Sequence, residues 1–292
     1  MEQQASQVSS PLSLVLLPGL DGSGRLFEWF VKALPPTLKP QIICFPKHED
    51  DYGALETDVL RLLPQGQPFV ILAESFSGPL ALRVAAIGHP HLIAVILVAS
   101  FASRPVAWMP RFARHILRPL LFRLPGQVLL MRWFLFGYSA PVALIEGTID
   151  CLNSVDPAVL AGRTKAALTV DATEAFLRCP VPILYLGGIQ DRLITPQTSE
   201  RLKSLRPDLE CVMLDAPHFL LQRAPAAAVK AVTDFLWRLK PAGRHRDWRD
   251  RSIAICQKIK MFPYCSCVPP PVPLPSVEAR GRHGSAGFYR SL

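Results

Sequence analysis

Six short runs of unbroken apolar residues, separated by longer stretches with helical spacing, constrain this chain more than anything else in it. The runs are "LSLVLL" (12–17), "QIICF" (41–45), "FVILA" (69–73), "IAVILV" (93–98), "PILYLG" (182–187) and "ECVML" (210–214). A strand with one face in water alternates apolar and polar residues; a strand covered on both faces does not. Between the runs lie "ALETDVLRLL" (54–63), "PLALRVAAIG" (79–88), "PQTSERLKSL" (196–205) and "PAAAVKAVTDFLWRL" (225–239), all compatible with helix. This rhythm predicts an α/β chain with an open, doubly wound, mainly parallel sheet and helices on both faces.

One interval breaks the rhythm. From Ala99 to about Cys179 no strand is predicted, only amphipathic segments such as "RFARHILRPLLFRL" (111–124), where Arg111, Arg114 and Arg118 share one side. An insertion of that length predicts a helical lid, over about 101–178, above the strand ends. For its basic side, a solvated face is preferred to contact with a membrane or an anionic substrate.

The formal charge of +9 raises the question of a nucleic-acid partner until the charge is located. After Lys240 there are nine Lys and Arg against three Asp and Glu, so that segment contributes 9 − 3 = +6 and leaves +3 for the rest. No nucleic-acid partner is expected of a body so weakly basic. The same segment carries "PPPVPLP" (269–275) and no apolar periodicity, and it reads as a disordered basic tail, 241–292. The expected domain is therefore 12–240, after an N-terminal extension of 1–11. Glu2 stands where an export signal would be basic, and Pro18 and Gly19 break the first apolar run early. Arg118, Arg123, Pro125 and Arg132 interrupt the most hydrophobic later region, which makes it a poor transmembrane span. Seven scattered cysteines suit reduced thiols and a cytoplasmic protein, and the pair Cys265 and Cys267 lacks the second Cys/His pair a metal site needs.

The stretch "LAESFSGPLALRVAA" (72–86) passes from apolar run to helical pattern around Ser75. Ala73-Glu74-Ser75-Phe76-Ser77 has the small-x-Ser-x-small spacing of a nucleophile elbow, a sharp strand-to-helix turn that only small flanking residues allow. An ordinary βα turn whose serine caps the helix gives the same short pattern. A serine hydroxyl needs a base, and the base an orienting acid. Asp191 follows the fifth run in "GGIQDRLITP" and His218 follows the sixth in "DAPHFLLQRAP". Each alone reads equally as a turn residue; together they give the order Ser, Asp, His at successive strand ends. Asp171 and Asp215 are rivals for the acid. At the end of the first run, "LLPGLDGSG" (16–24) offers glycines at 19, 22 and 24, suited to an oxyanion loop or to a phosphate cradle. The oxyanion reading is preferred, with the backbone N–H groups of Leu20 and Phe76 as donors. Trp108, Met109, Trp133 and Phe134 in the lid are candidates to line an acyl pocket.

Over about residues 12–240 these features resemble the α/β-hydrolase superfamily. "LLPGLDGSGRLF" and "LAESFSGPLALRVAA" look most like a group of bacterial α/β-hydrolases, and more distantly like the hydrolase-like part of plant plastid enzymes that make phytyl esters. The resemblance implies Ser75 as nucleophile, His218 as general base and then acid, Asp191 as its partner, an acyl-enzyme intermediate, and no cofactor or metal. It implies a carboxylic ester or thioester as substrate. An acyltransferase using the same triad and a non-catalytic binding module on the same scaffold are the alternatives. It also implies a six-stranded sheet lacking the family's N-terminal hairpin, in the order 2-1-3-4-5-6. Two departures stand out: Pro18 precedes the oxyanion-loop glycine where histidine is frequent, and Ala73 and Ser77 replace the elbow glycines.

Overall fold

The computed structural model describes residues 11–104, 118–123 and 127–239. The tail after Lys240, the residues before Pro11 and most of the segment 111–124 lie outside the described residues. Strands β1 (Leu12–Leu17), β2 (Leu38–Ile42), β3 (Phe69–Glu74), β4 (Leu92–Val98), β5 (Ile183–Gly188) and β6 (Glu210–Leu214) form one sheet. The order is β2-β1-β3-β4-β5-β6, and every neighbouring pair is parallel. This is the expected order.

Alternate residues of each central strand feed two separate cores, because successive side chains leave a strand on opposite faces. Val15, Leu17, Ile71, Ala73, Val95, Leu97 and Tyr185 meet helices Tyr52–Leu62, Gly78–Ala86, Thr173–Arg178 and Gln197–Leu205 on one side. Leu14, Leu16, Val70, Leu72, Ile96, Leu184 and Leu186 meet helices Glu28–Ala33, Leu220–Arg223 and Pro225–Leu239 on the other. Burial on both faces is why the strands read as continuous apolar runs.

One strand departs from the expected boundaries. β2 spans Leu38–Ile42 instead of 41–45. It is an edge strand with only Leu38 buried, so Lys39 and Gln41 break up its apolar residues, and Pro40 is tolerated there because an edge leaves N–H positions unpaired. The apolar residues that suggested a later strand, Ile43 and Phe45, instead enter the core from the loop that follows.

Chain direction places the site. β1 runs to β2 through the helix on one face, and β2 returns past β1 to β3 through the helix on the other. The crevice between the carboxyl ends of β1 and β3, where Leu17 pairs with Ala73, is thus the switch point at which such sheets take ligands. Above it lies the insertion: helical turns Pro119–Arg123, Gln127–Met131 and Arg132–Phe136, then helices Val142–Asn153, Pro157–Thr169 and Thr173–Arg178. An isolated bridge between Ser103 and Asp171 closes its base. Among the described residues no helix is long and apolar enough to cross a membrane.

Candidate active site

Ser75 occupies the turn between β3 and helix Gly78–Ala86 with φ +50, the left-handed region that non-glycine residues seldom adopt. The strain is held by contacts from three directions. Ser100, beyond β4, donates its hydroxyl to the Ser75 carbonyl at 2.6 Å. Tyr52 donates to the Phe76 carbonyl at 2.7 Å and stacks on the Phe76 ring. Ser77 donates to the Pro18 carbonyl, joining the turn to the loop after β1. Gly78 is needed for this approach, since a Cβ there would stand 1.8 Å from the Ser100 hydroxyl.

His218 Nε2 lies 3.0 Å from the Ser75 hydroxyl oxygen, and His218 Nδ1 lies 2.8 Å from Asp191 Oδ2. The other Asp191 oxygen accepts from the backbone N–H groups of Leu193 and Ile194, each at 2.8 Å. An acceptor-only carboxylate in that grip assigns the proton to Nδ1 and leaves the Nε2 lone pair facing the Ser75 hydroxyl. Both rivals for the acid are engaged elsewhere. Asp215 is exposed and accepts from Gln190 at 2.7 Å, while Asp171 accepts from the Thr173 N–H at 2.9 Å, at the start of a lid helix.

Burial alone would push the His218 imidazole down, but the Asp191 charge, its hydrogen bond and the Glu74 charge outweigh burial and raise it above the ordinary histidine value. Glu74, immediately before Ser75, is itself buried. Burial pushes its carboxyl up to about 7, against the opposing pull of a Gln222 hydrogen bond and of His218, with Asp21 adding to the rise. Gln222 donates 3.0 Å to Glu74 and 3.2 Å to the Leu26 carbonyl.

The loop after β1 turns at Gly22 and Gly24, with φ +71 and +70. The Leu20 N–H meets no acceptor among the described residues, and Phe76 is the second residue of a 3-10 turn, Ser75–Ser77, whose first amides have no partner within the turn. Arg163, from lid helix Pro157–Thr169, is fully buried against this loop. It donates to the carbonyls of Leu20, Pro46 and Glu49 at 2.9, 2.8 and 2.9 Å. A Cβ on Gly22 would come within 2.6 Å of its guanidinium.

A sequence profile of the Alpha/beta hydrolase family matches residues 14–232. The chain belongs to that family. Solved α/β-hydrolase structures share the fold at low identity. A bromoperoxidase from Bacillus anthracis superposes with TM-score 0.70 at 16% identity, over 78% of this chain and 92% of that one. An enol-lactonase from Burkholderia xenovorans LB400 gives 0.66 at 22%, over 79% and 93%. The esterase EaEST from Exiguobacterium antarcticum gives 0.65 at 14%, over 78% and 92%. Among curated proteins none matches this hydrolase closely enough to show descent.

Of the lid residues named from the sequence, Trp108 and Met109 lie outside the described residues. Trp133 lines a cavity of about 310 Å³ with Gly137, Tyr138, Gln190, Asp191 and Arg192, on the acid-loop side of the relay. Phe134 is half-buried on the same segment. The lid closes over the histidine loop: the Phe219 N–H donates to the Leu135 carbonyl at 3.0 Å, and the Phe136 ring meets Phe219 edge-on. Among the described residues no cluster of His, Cys, Asp and Glu has a metal-binding arrangement. Sequence reasoning missed Glu74, Ser100, Tyr52, Arg163 and Gln222. Glu74 alone carried a local signal, a carboxyl inside an otherwise apolar strand end.

Proposed function

We propose that this α/β hydrolase is a serine hydrolase that cleaves a carboxylic ester or thioester through an acyl-enzyme. The observation that carries this reading is the relay from Asp191 through His218 to a serine on a positive-φ turn, with spans of 2.8 and 3.0 Å. In the reaction, Ser75 attacks the substrate carbonyl while its proton passes to His218 Nε2. The resulting oxyanion takes hydrogen bonds from the N–H groups of Leu20 and Phe76. Collapse expels the alcohol or thiol, which receives the proton from His218. Water then attacks the acyl-serine with His218 again as base, and the acid product leaves Ser75 free. Asp191 holds the reactive tautomer and stabilises the imidazolium. Among proteins of this fold, the one from Exiguobacterium antarcticum is an esterase.

The test is labelling with a fluorophosphonate probe followed by a panel of chromogenic esters and thioesters. Expected are one modified residue, Ser75, and turnover that the probe abolishes. Labelling elsewhere, or turnover by the labelled protein, overturns the reading.

A further inference from the structure

The lid turns Gln127–Met131 and Arg132–Phe136 read "QVLLMRWFLF", apolar on every side except at Gln127 and Arg132. A surface helix normally has one apolar face, and one that is apolar all round is normally buried. Here the inward face is satisfied. Val128, Met131, Leu135 and Phe136 pack with Leu144, Ile145, Trp29 and Phe219. The outward face is not covered: Leu129, Leu130 and Trp133 are 67%, 62% and 44% exposed. Spacings of three and four residues put them on one side. Tyr138, 62% exposed, extends the patch through an edge-on contact between its ring and Trp133, and Val142, 61% exposed, follows at the start of the next helix. A single exposed leucine needs no explanation, but large apolar residues grouped in this way do.

Charge selects the occupant. From Gln127 to Ile145 the chain has Arg132 and no Asp or Glu. Arg192 adds a fixed cation at the edge, its guanidinium 3.8 Å from the Trp133 ring centroid and 5.8 Å from that of Tyr138. Two copies of such a face would bring arginines against arginines. An anionic lipid surface offers the complement: hydrocarbon for the leucines, a headgroup layer where Trp and Tyr are favoured, and negative charge for the arginines. We infer that the outward face of the lid, centred on Leu129, Leu130 and Trp133, docks this hydrolase peripherally on an anionic lipid surface. The sequence-based preference for a solvated face concerned segment 111–124, with Arg111, Arg114 and Arg118 on one side, which precedes this apolar face. The inference does not depend on the proposed chemistry of Ser75, although docking there would bring the roof of the site, at Phe219, close to the lipid.

The experiment is co-sedimentation of the full chain with vesicles of phosphatidylcholine alone or mixed with phosphatidylglycerol. Expected is binding to the mixed vesicles that falls roughly tenfold in Leu130→Ser/Trp133→Ser, with an unchanged circular dichroism spectrum. In Arg132→Glu/Arg192→Glu, with the apolar residues of the face intact, the preference for the anionic vesicles should disappear. Brominated lipid should quench tryptophan emission less in Trp133→Phe than in the wild type. No binding by the wild type overturns the inference. So does undiminished binding by both double variants, which assigns lipid affinity to another part of the chain. A concentration-dependent dimer in the ultracentrifuge, lost in Leu130→Ser/Trp133→Ser, would make the face a contact between copies and also overturn it.

Discussion

Glu74 and Ser75 are neighbours in the chain and opposites in their electrostatics. In the proposed mechanism Ser75 does the covalent work, and because members of such a relay act as a unit, Ser75→Ala should lower kcat on the order of 10³-fold or more without changing the melting temperature by more than a few degrees. Steady-state kinetics on the ester that the panel selects, with thermal melts alongside, check this. His218 must be neutral to accept the proton, and its folded value is raised by Asp191 and Glu74 against burial. The kcat/KM profile should therefore rise with pH through an apparent pKa above the ordinary histidine value, and Glu74→Gln should move that limb to lower pH. Glu74 has a second consequence, for stability. Its carboxyl titrates near 4.5 when unfolded and at about 7 when folded, so folding takes up a proton between those values. The folded state binds more protons than the unfolded one there, and stability falls as pH rises from 4.5 to about 7. Glu74→Gln, which mimics the neutral acid, should raise the melting temperature above pH 7 and leave it nearly unchanged below 4.5. A uniform shift at all pH values would count against this account.

Between elements, the contact that matters most is the one from the lid to the loop after β1. Arg163 is fully buried, yet it is satisfied by carbonyls from two loops and packs over the Phe45 ring, 5.7 Å from its centroid. Arg163→Met would strand the carbonyls of Leu20, Pro46 and Glu49 and should cost about 3 kcal/mol or more in chemical denaturation. Since Leu20 also offers the proposed oxyanion N–H, the folded fraction should lose kcat more than KM; unchanged kcat in that fraction would separate the clamp from the chemistry. Arg163 also marks what the sequence could tell. Ser75, Asp191 and His218 were legible because each sits at a strand end beside turn residues, and the chain order of three such ends is informative. The sheet was legible because burial on both faces writes unbroken apolar runs. β2 was misplaced because an edge strand lacks that signature while its following loop has it. Arg163, Ser100 and Tyr52 were not legible at all, because their partners lie 143, 25 and 24 residues away and no local pattern announces them.

For the whole molecule, the question is how much of the chain the fold uses. The two main cores draw on residues from Leu14 to Leu236, and the family match covers 14–232. The closing helix, Pro225–Leu239, contributes Ala228, Val229, Val232, Phe235 and Leu236 to the core on its face of the sheet. Beyond it, the residues after Lys240 hold +6 of the +9 formal charge in a Pro-rich stretch without apolar periodicity, so they have little with which to stabilise a packed core. A chain ending at Lys240 should therefore keep its melting temperature within a few degrees and its ester turnover within about twofold. A chain ending at Arg223, which loses the closing helix, strips one face of β5 and β6 of its cover, and burial of that apolar area is what sheets of this kind depend on. That shorter chain should be insoluble or unfolded. The pair of truncations, compared by circular dichroism, melting and turnover, places the boundary: if the cut after Lys240 also unfolds the protein, the basic tail belongs to the folded domain and the charge it carries is structural.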